Sequence, residues 1–142
     1  MCGHKPCVIR HRAIVSSSRR TLGLAETIGV LLDVAGALEA LSDKVVHRDL
    51  KPENVLLLAG AWSVADFGIA RYVDAVTATT TFKGWQTHEY AAPERWRVET
   101  ATPATDVYSL GVMAYELIVG RRPFDGDQAA LQDAHLHQAL RC

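Results

Sequence analysis

His47-Arg48-Asp49-Leu50-Lys51-Pro52-Glu53-Asn54 decides how this chain is read, because it sets a carboxylate, an ammonium and a carboxamide within one short polar stretch. Val45-Val46 precede it and the apolar run Val55–Leu58 follows it, so the stretch is a loop between extended pieces. Ala59-Gly60 then makes a turn, and Trp62–Ala65 returns as a second short strand. Asp66-Phe67-Gly68 follows that strand, twelve residues after Asn54, and Ala92-Pro93-Glu94 stands further on. Taken singly, an Asp such as Asp49 or Asp66 is more often a turn or capping residue, and Ala-Pro-Glu is a weak signal. The ordered set, in a strand–loop–strand setting, is a strong one.

Working outward, Leu24, Ile28, Leu31, Ala35, Leu38 and Leu41 recur in steps of three and four. This predicts a helix over 24–41 with those residues on its buried face. Gly29 and Gly36 each weaken it by about 1 kcal/mol relative to Ala, so it depends on tertiary packing. Pro93 starts a helical turn that runs through Trp96. Thr105 and Asp106 are candidate N-caps of the next helix, whose apolar residues are Val107, Leu110, Met113, Ala114, Leu117 and Ile118. From Leu110 to Val119 the pattern is apolar on nearly every side, which predicts burial all round. Gly120 and Pro123 end it. Gln128–Leu140 is a last amphipathic segment.

The 142 residues have the length of one domain, and 49% hydrophobic with 22% charged residues is a globular balance that argues against disorder throughout. Fifteen basic and sixteen acidic residues leave a net charge of −1, which gives no electrostatic case for nucleic acid or an anionic membrane surface. No apolar run reaches the roughly 18 residues that span a bilayer. Cys2, Cys7 and Cys142 lie at the two ends and make no disulfide framework. Cys2, His4, Cys7 and His11 do not match a common zinc spacing. Residues 1–20 are basic and Ser-rich without a period and are expected to be an unstructured leader. Residues 21–142 are the expected domain, and the expected location is cytoplasmic.

The set His47–Asn54, Asp66-Phe67-Gly68 and Ala92-Pro93-Glu94 resembles the catalytic loop, metal-binding motif and end of the activation segment of eukaryotic-type serine/threonine protein kinases. The resemblance runs from Leu24 to about Leu140. It implies an α+β fold, mostly helical with a small β-hairpin beside the active site: the C-terminal lobe of a kinase. It also implies transfer of the ATP γ-phosphoryl to Ser or Thr of a protein substrate, with ATP and Mg2+ as cofactors. Asp49 would act as catalytic base, and Lys51, two residues on, would lie near the transferred phosphate. Asn54 and Asp66 would ligate magnesium. Arg48 would meet a phosphorylated activation loop, with Thr77, Thr79, Thr80 and Thr81 as candidate phosphosites. Thr87 in Thr87-His88-Glu89-Tyr90 would bond Asp49 and Lys51, Asp106 would anchor the loop from below, and His47, Phe67 and Gly68 would be structural.

The same resemblance marks absences. No G-x-G-x-x-G precedes the loop, and no V-A-I-K-like strand supplies a phosphate-binding lysine. The N-terminal lobe is therefore expected to be missing, the chain inactive as given, and its open lobe face prone to self-association. Glu94 is expected to lack the arginine that pairs with it in relatives. A non-catalytic, pseudokinase-like binding or regulatory module is the alternative.

Overall fold

The computed structural model describes residues 12–13, 22–66, 71–72 and 88–138. Cys2, Cys7 and Cys142, Phe67 and Gly68, the threonines of 77–81, Thr87 and Leu140 lie outside them. Among the described residues the order is β1 (Arg12–Ala13), α1 (Leu24–Leu41), β2 (Val45–Val46), β3 (Val55–Leu58), β4 (Ala61–Val64), β5 (Arg71–Tyr72), α2 (Pro93–Trp96), α3 (Pro103–Val119) and α4 (Gln128–His137). Single 3-10 turns at Pro52–Asn54 and His88–Tyr90 complete it. The result is a helix-rich domain with two small antiparallel sheets.

β3 and β4 pair in the register Val55↔Val64 and Leu58↔Ala61. Their two-residue turn is Ala59-Gly60, with φ of 51° and 90°. Two left-handed residues are what the tightest hairpin turns require, and Gly60 meets that need without steric cost. β1 adds to the other edge of β3, and β2 pairs separately with β5. Arg12–Ala13 lies within residues 1–20 and pairs with Leu57 and Leu56 of β3. Two residues are too few to carry a readable period.

α1 has the predicted bounds but not the predicted face. Thr27, Val30 and Val34 are its buried residues, whereas Leu24 is 70% exposed, Ile28 48% and Ala35 also faces out. Leu31 and Leu38 still pack, half-buried, against the core. That core joins Val30 and Val34 to Leu50, Val55, Tyr90, Val112 and Met113. Leu50, 1% exposed, projects from the 47–54 loop itself, and burying such a side chain is worth about 1.5–3 kcal/mol. The Asp33 carboxylate of α1 accepts the Trp62 amide at 2.9 Å, which ties α1 to the free edge of β4.

α3 begins earlier than expected. Thr102 is its N-cap and Pro103 its first residue. The Thr105 hydroxyl accepts the Thr102 amide at 3.0 Å, so Thr105 closes a capping box instead of capping directly. Gly120 ends the helix at φ 80°, the left-handed cap its position predicts. Burial all round is not observed: Val107 and Ile118 are 62% and 60% exposed. The buried face is Thr105, Asp106, Ser109, Val112 and Met113. Its polar members are buried because each has a hydrogen-bond partner across the fold.

Candidate active site

The 47–54 loop is built on α3. The Asp106 carboxylate, 4% exposed, accepts the His47 amide at 2.7 Å through Oδ2 and the Arg48 amide at 2.8 Å through Oδ1. Burial raises the Asp106 carboxyl above the usual carboxylate range, and these two amides and the neighbouring positive charge pull it back down. Arg48 has φ 70°, a region a non-glycine residue enters at a cost of about 1–3 kcal/mol. The paired amide bonds hold that turn in place.

His47, 1% exposed, locks the other side. Its Nε2 lies 3.0 Å from the Ala65 carbonyl and its Nδ1 accepts the Asp49 amide at 3.3 Å. Nδ1 as acceptor requires the proton on Nε2, which then donates to Ala65. His47 thus bridges the loop to the end of β4, one residue before Asp66.

Three of the expected site residues meet inside the loop. Lys51 Nζ lies 2.8 Å from Asp49 Oδ2, and the Asn54 side-chain amide donates to the Asp49 carbonyl at 2.9 Å. The Ala65 amide donates to the Asn54 carbonyl at 2.7 Å, continuing the β3–β4 ladder. Asn54 and Asp66 therefore sit at the same open end of the hairpin. Asp66 is exposed, with φ 61°, a left-handed conformation that Asp tolerates. Asn54 and Asp66 offer an amide and a carboxylate oxygen, the hard-donor type that suits magnesium. Among the described residues no cluster of three His, Cys, Asp or Glu forms a separate metal site.

The segment 88–98 flanks this loop. Trp96 Nε1 donates to the Ala91 carbonyl, Ser109 donates to the Tyr90 carbonyl at 2.9 Å, and the Tyr90 hydroxyl donates to Glu116. Burial, with Glu116 beside it, holds the Tyr90 hydroxyl well above the ordinary tyrosine range. Glu94, expected to lack its arginine, has a different partner: the Thr105 hydroxyl donates to its Oε1. The capping threonine is reused as the partner. Arg95 was not singled out from sequence. Burial lowers its guanidinium, while the charges of Glu94, Asp49 and Asp106 oppose that shift, so Arg95 belongs to the electrostatics of the loop. Its place directly after Ala92-Pro93-Glu94 was the only signal.

The Protein kinase domain profile matches residues 9–141. The chain belongs to the protein kinase family. Against serine/threonine-protein kinase PknA of Mycobacterium tuberculosis it is 45% identical over 114 residues, 80% of this chain and 25% of that protein. Against PknL of Mycobacterium tuberculosis it is 45% identical over 104 residues, 72% of this chain and 26% of that one. Against the probable serine/threonine-protein kinase PknB of Lactococcus lactis it is 36% identical over 118 residues, 81% of this chain and 19% of the relative. The chain thus spans a quarter or so of the length of these curated relatives. No helix among the described residues is long and apolar enough to cross a membrane.

Proposed function

We propose that residues 21–142 are part of the C-terminal lobe of an ATP-dependent protein serine/threonine kinase, and that the 47–54 loop is its catalytic loop. The observation that carries the reading is the gathering of Asp49, Lys51 and Asn54 in one turn at the open end of the hairpin that leads to Asp66. The hydroxyl oxygen of a protein Ser or Thr attacks the γ-phosphorus of ATP. The bond from that phosphorus to the β–γ bridging oxygen breaks, and ADP leaves with the bond pair. Asp49 orients the hydroxyl and takes its proton, and Lys51 places a point charge beside the transferred group. Asn54 and Asp66 would hold a divalent cation, which neutralises phosphate charge when bound. Little covalent chemistry falls to the protein in such a reaction, so positioning dominates, and the bonds from Asp106 and His47 into the loop serve that end. Arg48 and Glu94 would belong to the activation and substrate segment, Arg48 meeting a phosphorylated residue.

These 142 residues contain no G-x-G-x-x-G ahead of the loop and no V-A-I-K-like strand. The stretch by itself is therefore proposed to grip ATP weakly and to transfer little phosphate. The test is radiolabelled-phosphate transfer by the purified chain to a generic protein acceptor, with Asp49→Asn as control. Little transfer is expected, and robust transfer abolished by Asp49→Asn would overturn the inactivity of the stretch while supporting the role of Asp49. A pseudokinase-like binding module is the second reading of these 142 residues by themselves. Thermal shift with Mg2+ and ATP bears on it, since a ligand that binds the native state raises the melting temperature, logarithmically once its concentration exceeds Kd.

A further inference from the structure

The most enclosed titratable side chain not used in the proposed chemistry is His135 on α4, 3% exposed. Its ring lies 6.0 Å from Trp96 of α2, 5.8 Å from Tyr108 of α3 and 4.9 Å from Phe124, measured between centroids. His88, from the 3-10 turn, packs on Trp96 at 5.1 Å. Phe124, Leu131 and Ala134 form a small core of their own, with Trp96 against it. α4 is therefore docked on α2 and α3 by a separate aromatic cluster with an imidazole at its centre.

We propose that His135 is a proton-sensitive latch, whose neutral ring holds α4 docked and whose protonation releases α4 from α2 and α3. The geometry assigns a single polar contact to the ring: Nδ1 lies 2.9 Å from the Tyr108 hydroxyl. Nε2 is buried and has no hydrogen-bond partner. A neutral imidazole carries one N–H and fits this arrangement. An imidazolium carries two and a full charge, and that charge is then enclosed in an aromatic pocket away from water.

The surrounding groups decide the sign. On α3 the titratable neighbour is Tyr108. In the 3-10 turn they are His88 and Glu89, and Glu89 is itself paired with Arg122 at 2.9 Å. Glu94 of α2 acts on Tyr108. On α4 itself, Asp133 and His137 pair with each other in solvent. The charge and backbone of Glu89 favour the cation, although the backbone completes no hydrogen bond to Nε2. Burial outweighs both, and His135 titrates below the ordinary histidine range. A folded-state value below the unfolded one means docking is fully supported above about pH 6.5, and the support is lost as pH falls toward the folded value. α4 packs against the turn that carries His88 and Glu89, so its release alters the surface beside the 88–98 segment.

The test is hydrogen–deuterium exchange on the 142-residue chain at about pH 7.5 and about pH 5.5, corrected for intrinsic exchange, with α1 as internal reference. Protection of the 128–137 amides is expected to fall several-fold, and at most about tenfold at one unit below the ordinary histidine value. The fall should be absent in His135→Gln. Equal protection at both pH values overturns the proposal, as does the same loss in the variant. Should the variant not fold, the imidazole C2 proton of His135 in the unaltered chain decides by NMR. A midpoint below the ordinary histidine range supports the latch, and one at or above it overturns it.

Discussion

Asp106 holds Arg48 in a left-handed backbone conformation: φ at Arg48 is 70°, and its amide donates to the Asp106 carboxylate at 2.8 Å while His47 donates to the other oxygen. Asp106→Ala leaves both amides buried without an acceptor. At about 1–3 kcal/mol for each orphaned group, the loss of stability should reach about 2–6 kcal/mol. Asp106→Asn keeps one acceptor oxygen and should cost about half as much. Urea unfolding of the two variants measures the difference, and equal losses would show that the second amide bond contributes nothing.

The Thr105–Glu94 bond serves a cap and a segment at once. Thr105→Val removes the acceptor for the Thr102 amide and the donor to Glu94. A cost of about 1–2 kcal/mol is expected from the cap alone. In a double-mutant cycle with Glu94→Gln the two changes should fail to add by about 0.5 kcal/mol or more, because they share one contact.

The Tyr108 hydroxyl is the only hydrogen-bond partner of the His135 ring among the described residues. Tyr108→Phe leaves a buried ring nitrogen without a partner and should destabilise the chain by about 1–2 kcal/mol. The loss should concentrate in α4, where hydrogen exchange of 128–137 will rise more than that of α1.

Asn54 and Asp66 are the residues proposed to hold a divalent cation at the end of the hairpin. Mn2+ added to labelled chain should broaden the NMR signals of Asn54 and Asp66 before those of Asp33 or Asp127. Asp66→Asn should weaken that response about tenfold, since a neutral amide replaces the carboxylate. Uniform broadening across all acidic residues would count against a metal site there.

The grouping of Asp49, Lys51 and Asn54 was legible because one short loop keeps them together. Two helix bounds were legible too, from Pro93 and Gly120, whereas the start of α3 was read two to three residues late, at Thr105 and Asp106 instead of Thr102. Helix faces were not legible. α1 carries apolar residues around most of its circumference, so spacing alone could not choose between the Leu24–Ile28 side and the Thr27–Val30–Val34 side, and tertiary contact chose the latter. α3 failed similarly, because its buried face is led by Thr105, Asp106 and Ser109, which hydropathy assigns to solvent. The Glu94–Thr105 bond and the His135 cluster were invisible for a related reason. Each depends on partners 11 and 27 residues apart in the chain, and no local pattern records such a meeting.

The tether from Asp106 to His47 and Arg48 closes a span of 58–59 residues. During synthesis the 47–54 loop leaves the ribosome well before α3 does. Its amides then wait for an acceptor that has not yet been made. The loop geometry is thus a late product of folding, and a nascent chain arrested before Asp106 emerges would display the motif without the means to shape it.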